Sequence, residues 1–365
     1  MFRFRRLALA ALISACLAAC AGPAKKPLVD PFPLRFPLVE AGAMEIEGHV
    51  VGQPRARDGI VYYAEREGYL TAVAASSRSI LWRFKADHSL SSSPEIHGDV
   101  ILFHDDGGVL YGIVSPGQVL LKITIDKAFV TPAHIIEGGV VVGTAEGRIL
   151  TSDPGGNNAR EYQLPGPQAA LTAGPIPAGG YWQDKIIFGR SDGRLTAISL
   201  QGKPVWEFRA EGAIQADPAV AGGRVYFGDS NRHFYCLVAA TGKKIWSRRL
   251  QGAALHPAVV TGRRVAVVAS NSTLYFLSGR GGSILSWEPV PSRVVYEPAR
   301  AGTSLLVSSA ADRLLVFDLR TGERLGQHLT SGTLAAGAVW SPPFVVLVEE
   351  DDGSGRQRLV LLRSR

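Results

Sequence analysis

Three cysteines, eight histidines and two runs of acidic residues are the side chains of this sequence best suited to chemistry. A cysteine can be a nucleophile, a metal ligand or an acyl acceptor, and its surroundings decide which. The histidines are His49, His88, His97, His104, His134, His233, His256 and His328, and apart from His233 and Cys236, three residues apart, none stands at metal-ligand spacing from another histidine or a cysteine. Asp105-Asp106 beside His104, and Glu349-Glu350-Asp351-Asp352, each sit next to glycine between strand-like runs. A hard-cation site needs several oxygens converging from spaced positions. Acids beside glycine between strands instead read as solvated hairpin turns. No P-loop is present. Cys236 occupies the slot that related segments give to Ala72, Gly112 and Ala197, so it reads as a small buried residue and not a reactive thiol. No catalytic constellation, metal site or cofactor site is expected.

The remaining candidate is Cys20. Arg3, Arg5 and Arg6 form a positive start, and an apolar stretch runs from Leu7 to Ala19. It is too short to span a bilayer and has the pattern of a signal peptide. It ends Leu17-Ala18-Ala19-Cys20, which resembles a bacterial lipobox. That resemblance implies cleavage before Cys20 and acylation of its thiol and new N-terminus. Several acyl chains together give lasting membrane attachment. Residues 1–19 are therefore read as a lipoprotein signal peptide and 20–33, beginning Cys20-Ala21-Gly22-Pro23-Ala24-Lys25-Lys26, as a lipidated flexible tether. Ala21 lacks the aspartate that retains enterobacterial lipoproteins at the inner membrane, so the expected location is the periplasmic face of the outer membrane.

With Cys16 removed and Cys20 acylated, Cys236 has no partner for an intrachain disulfide, and stability must come from an apolar core. The formal charge is +7, of which Arg3, Arg5 and Arg6 leave with the signal. The rest is spread along the chain without the clustered basic and aromatic footprint of a nucleic-acid binder.

Positioning falls to a repeat. One unit reads Arg224 to Asp229, Phe234 to Leu237, Thr241 to Trp246, then His256 to Val260, four short β-type runs punctuated by Gly, Asn and Asp. Its first run recurs at Ile60, Ile101, Val140, Ile186, Val225, Val265, Leu305 and Val345. A spacing of about forty residues is that of a four-stranded propeller blade. Its last run begins near Pro94, Pro132, Pro175, Pro218, Pro257 and Pro298. The longer step between the third and fourth units predicts a loop insertion around Gly155 to Asp184. Eight copies predict an all-β, eight-bladed β-propeller over 34–365. The last unit lacks one strand, and Leu34 to Ile46 is expected to supply it and close the ring.

The unit Gly193 to Trp206, partly repeated from Tyr235 to Trp246, resembles the quinoprotein (PQQ-like) propeller repeat. In such proteins a tryptophan from one blade packs on the next, which implies structural docking roles for Trp82, Trp206, Trp246 and Trp287. In length, blade count and anchoring the chain resembles the BamB family of outer-membrane assembly lipoproteins. That resemblance implies a non-enzymatic scaffold of the β-barrel assembly machinery. Its expected partners are a BamA-like barrel-assembly protein, other assembly lipoproteins and unfolded outer-membrane proteins. In that family the BamA contact lies on loops between mid-chain blades, with leucines, an arginine and two aspartates. The corresponding stretches are Pro167 to Thr172 and Ala213 to Pro218, which single out Gln168, Leu171, Thr172, Gln215 and Asp217; the first lacks the arginine and the second has one aspartate. The alternatives are a PQQ-dependent periplasmic dehydrogenase, or a propeller scaffold of another envelope complex. The dehydrogenases are usually much longer, and many carry an adjacent Cys-Cys pair that is absent here.

Overall fold

Runs such as Ile60-Val61-Tyr62-Tyr63-Ala64, rich in β-branched and aromatic residues, favour extended backbone whose side chains fill both faces of a pleated sheet. Short glycine-bearing turns then fold successive runs into antiparallel hairpins. The computed structural model describes residues 33–125, 129, 131, 133–136, 139–144, 148–153, 156–163, 171–177 (as backbone) and 185–365. Among them are 32 strands and no helix, arranged as eight four-stranded antiparallel sheets. Blade 1 comprises Val50–Arg57, Ile60–Glu65, Tyr69–Ala74 and Ser79–Lys85, and blade 5 comprises Ala219–Ala221, Arg224–Gly228, His233–Val238 and Lys244–Arg249. The second and third strands of each blade are buried, while the outer fourth strand alternates or is largely exposed. Each gap between blades is filled by its own apolar cluster, such as Val225, Phe227, Tyr235 and Leu237 of blade 5 on Ile187, Leu195 and Ala197 of blade 4.

The repeat is phased differently in space than along the chain. The run that opens each sequence unit is the second strand of a blade, and the short run near the proline is the inner strand of the next blade. Several inner strands have only three residues, as in Glu95–His97, Val259–Thr261 and Ala299–Ala301. The proline before them carries no N–H, so ladder pairing starts only beyond it.

The N-terminal segment closes the ring. Leu38–Ile46 pairs antiparallel with Gln357–Ser364 as the outer strand of blade 8, from Leu38 opposite Ser364 to Ile46 opposite Gln357. Leu34 and Leu38 join Leu306, Leu314, Val345 and Leu362 in one cluster between the last two blades. The Val50 N–H donates to the Gln357 side chain at 2.7 Å, stitching blade 1 to blade 8. The stretch from Gly155 to Asp184 is more than a loop. It contains Arg160–Gln163, the outer strand of blade 3, and Leu171–Pro177, the inner strand of blade 4.

This topology gives the ring two unlike faces. The turns between second and third strands, together with the links from one blade to the next, lie on one side, the link face. The turns between first and second and between third and fourth strands lie on the other, the turn face.

Candidate functional site

The tryptophans sit at the seams between blades. Trp206 pairs with Ala197 across blade 4, and its indole N–H donates to the Ala239 carbonyl of blade 5 at 2.9 Å. Trp246 holds the same register opposite Cys236 and donates to the Gly279 carbonyl of blade 6 at 3.2 Å. Gly242 (φ 67°) accepts the turn above Trp206 for two reasons: its backbone is left-handed, and a Cβ there would meet the indole at 2.6 Å. Trp82 packs under Gly117 of blade 2. Trp287 departs from this set. In blade 6 it is Ser286 that holds the docking register, opposite Phe276; Trp287 is one residue along, pairs with Tyr275, and is 60 % exposed. A shift of one residue in a strand turns the side chain to the opposite face. At blade 7 the docking register falls to Gly326, and Phe36 of the N-terminal segment fills the space.

On the link face the repeat places Glu65, Asp105, Thr144, Arg190, Asp229, Ala269, Ser309 and Glu349 at the ends of the second strands, and all are buried. Asp229 Oδ1 accepts the His233 N–H at 2.8 Å, while Oδ2 accepts the Gly212 N–H at 3.1 Å and the Tyr235 hydroxyl at 2.9 Å. Asp105 accepts the Gly107 and Val109 N–H groups at 3.0 and 2.9 Å and the Tyr111 hydroxyl at 3.2 Å. Asp105 is thus a buried clamp joining a hairpin to the preceding link, not a solvated turn residue. The reason is that turn N–H groups lack ladder partners, and a carboxylate satisfies several at once. Glu349 is likewise buried against Arg358 at 2.9 Å and the Ser331 hydroxyl at 2.8 Å. Burial pushes the Glu65 carboxyl up, against the opposing pull of Thr71 and Arg83. Burial likewise raises Tyr111 and Tyr235. Only the outer members of the acidic runs, Asp106, Asp351 and Asp352, are exposed.

The inner strands bring a polar set to the channel. Arg55 of blade 1 pairs with Glu95 of blade 2 at 2.6 Å and reaches Glu297 at 3.6 Å, which leads into blade 7. His97 and His134 meet edge to face, ring centroids 5.4 Å apart. Burial, and then His97, hold His134 down to about 4. No three His, Cys, Asp or Glu side chains converge as a metal site among the described residues. Sequence reasoning missed this set, although a signal existed: Asp217, His256 and Glu297 each precede the recurring proline. Cys236 is fully buried, and burial raises its thiol pKa.

Of the residues singled out for partner contact, Gln215 is exposed and Asp217 half-buried in the link from blade 4 to blade 5. Leu171 and Thr172 open the inner strand of blade 4, with Leu171 opposite Arg190. All four positions belong to the link side of neighbouring blades. Cys20 and Gln168 lie outside the described residues.

An eight-bladed propeller of quinoprotein-like repeats, closed by its own N-terminal strand, defines the class. The family described as "Outer membrane protein assembly factor BamB" matches residues 43–115, 66–207 and 191–350, and the chain belongs to this family. Among solved structures, BamB from Moraxella catarrhalis superposes with a TM-score of 0.72 at 17 % identity, covering 90 % of this chain and 98 % of that one. The computationally designed Ika8 protein superposes with a TM-score of 0.73, also at 17 % identity, covering 88 % and 98 %. At that identity the two likenesses speak for the fold. No curated protein matches the chain by sequence.

Proposed function

We propose that this protein is a non-enzymatic scaffold of outer-membrane β-barrel assembly, held by a lipid on Cys20 to the periplasmic face of the outer membrane. The observation that carries this reading is the assembly-factor family match, which runs from blade 1 through most of blade 8. A ring whose blades are locked by seam tryptophans and buried acids suits a rigid platform, with variable loops doing the binding. The link face, with Leu171, Thr172, Gln215 and Asp217 on adjacent blades, would receive a BamA-like protein. Other assembly lipoproteins and unfolded outer-membrane strands are the further partners. Affinity purification from solubilised outer membrane should recover the barrel-assembly protein. Recovery of the lipoprotein free of every assembly component would sink the proposal.

A further inference from the structure

The turn face of blades 5 to 7 gathers five arginines. Arg224 and Arg264 follow the turns between inner and second strands and Arg263 lies in one of them, while Arg280 and Arg320 lie in the turns between third and outer strands. They surround two neighbouring clefts. One, of about 420 Å³, is lined by Thr261, Gly262, Arg263, Arg264, Leu319 and Arg320. The other, of about 330 Å³, lies between blades 5 and 6 and is lined in part by Arg224, Arg263 and Arg280. No acidic side chain lines either cleft. Among the described ion pairs Arg320 meets Asp318 at 3.0 Å, while none joins Arg263, Arg264 or Arg280 to a carboxylate. The Arg264 Nη1 is buried and has no hydrogen-bond partner. Guanidinium forks around an open cleft, with buried donor capacity unspent, match phosphate oxygens.

The N-terminal segment leaves the ring on this same face. The Arg35 N–H donates to the Ser364 hydroxyl at 2.8 Å, and the Arg365 N–H to the Pro37 carbonyl at 3.2 Å, both at the turn-face end of blade 8. The geometry points to this arginine face as a binding surface for the phosphate groups of anionic phospholipids, laid against the membrane to which the N-terminus leads. Its placement in the cell rests on the acyl anchor at Cys20. On the sequence reading of residues 20–33 as a tether, its span would hold the face on the order of 20 Å from the bilayer, close enough for docking and release.

The test uses residues 21–365, which contain every strand of all eight blades including the closing one, and so separates the arginine face from acylation. Binding is measured to vesicles of phosphatidylcholine alone and to vesicles of equal phosphatidylcholine and phosphatidylglycerol. The second should retain the protein, and raising salt should release it as the screening length shrinks from about 10 Å to about 3 Å. The exposed-site variant R263Q/R280Q/R320Q should weaken binding by about fivefold per arginine, on the order of a hundredfold in all. R66Q/R232Q on the link face should leave it unchanged. Equal retention by both vesicles, retention that survives high salt, or an unaffected triple variant overturns the inference. So does displacement by inorganic phosphate beyond that of chloride at equal ionic strength, which would mark a free-anion pocket. The lipid and salt arms use the unmodified ring, so they decide the matter even if a variant misfolds. Fatty-acid labelling of the full chain reads Cys20 separately: an unlabelled chain that still binds anionic vesicles removes the anchor and leaves the arginine face standing.

Discussion

The link face and the turn face are made by the same repeat, yet they spend their charge differently. On the link face the acids Glu65, Asp105, Asp229 and Glu349 are turned inward and used to hold turns and links in place. On the turn face Arg263 and Arg280 point outward without a carboxylate partner among the described ion pairs, and apart from Asp318, which holds the turn of blade 7, turn shape is left largely to glycines such as Gly242 and Gly282 over the seam tryptophans. Charge that is buried and fully hydrogen-bonded builds shape. Charge left at a cleft is available to a partner.

The largest expected effect comes from removing what both faces share. Deleting residues 34–46 strips Leu34, Leu38 and Ile46 from their clusters, at about 1.5–3 kcal/mol each, and bares the edge of Gln357–Ser364. Size-exclusion chromatography and thermal unfolding should show aggregation or loss of the cooperative transition; a stable monomer would mean that closure is made elsewhere.

Trp246→Ala empties a seam on the turn side and should cost about 3–5 kcal/mol in denaturant unfolding. Trp287→Ala, on an exposed ring, should stay within about 0.5 kcal/mol. Equal losses for the two would contradict the register that separates them.

Asp229→Ala leaves the His233 and Gly212 N–H groups and the Tyr235 hydroxyl without their acceptor. A loss of about 2–4 kcal/mol is expected, with faster amide exchange at Gly212 and His233 and little change on the turn face. Uniform exchange across the ring would show that the faces are not separately built.

The last effect, silent at neutral pH, is a pH dependence at the channel. His134 is held down to about 4 from an ordinary 6.5 by burial and then by His97. The unfolded chain takes its proton first, so this contribution is intact above pH 6.5 and is lost as pH falls toward 4. His134→Gln should flatten part of that acid decline; an unchanged slope over the window would remove His134 as its source.

Blade number and closure were legible because both depend on patterns that survive in one dimension: recurrence every forty residues and a missing strand. The phase of the blade was not, since a three-residue inner strand such as Val259–Thr261 carries too little alternation to show which neighbour it joins. Trp287 misled because the residue type matches the docking tryptophans while its register does not, and register is settled by pairing across the sheet. Asp105 looked like any turn aspartate beside a glycine; only folding brings Tyr111 and the preceding link to its carboxylate. The arginines of the turn face escaped notice for the same reason, being spread from Arg224 to Arg320 in sequence and gathered only by the ring.

The most direct test of the scaffold reading places a photo-crosslinking residue at Gln215 on the link face and, in a second strain, at Arg280 on the turn face, both in intact cells. The account predicts that Gln215 captures a subunit of the barrel-assembly machinery and that Arg280 does not. Capture of that subunit from Arg280 with none from Gln215 would contradict it.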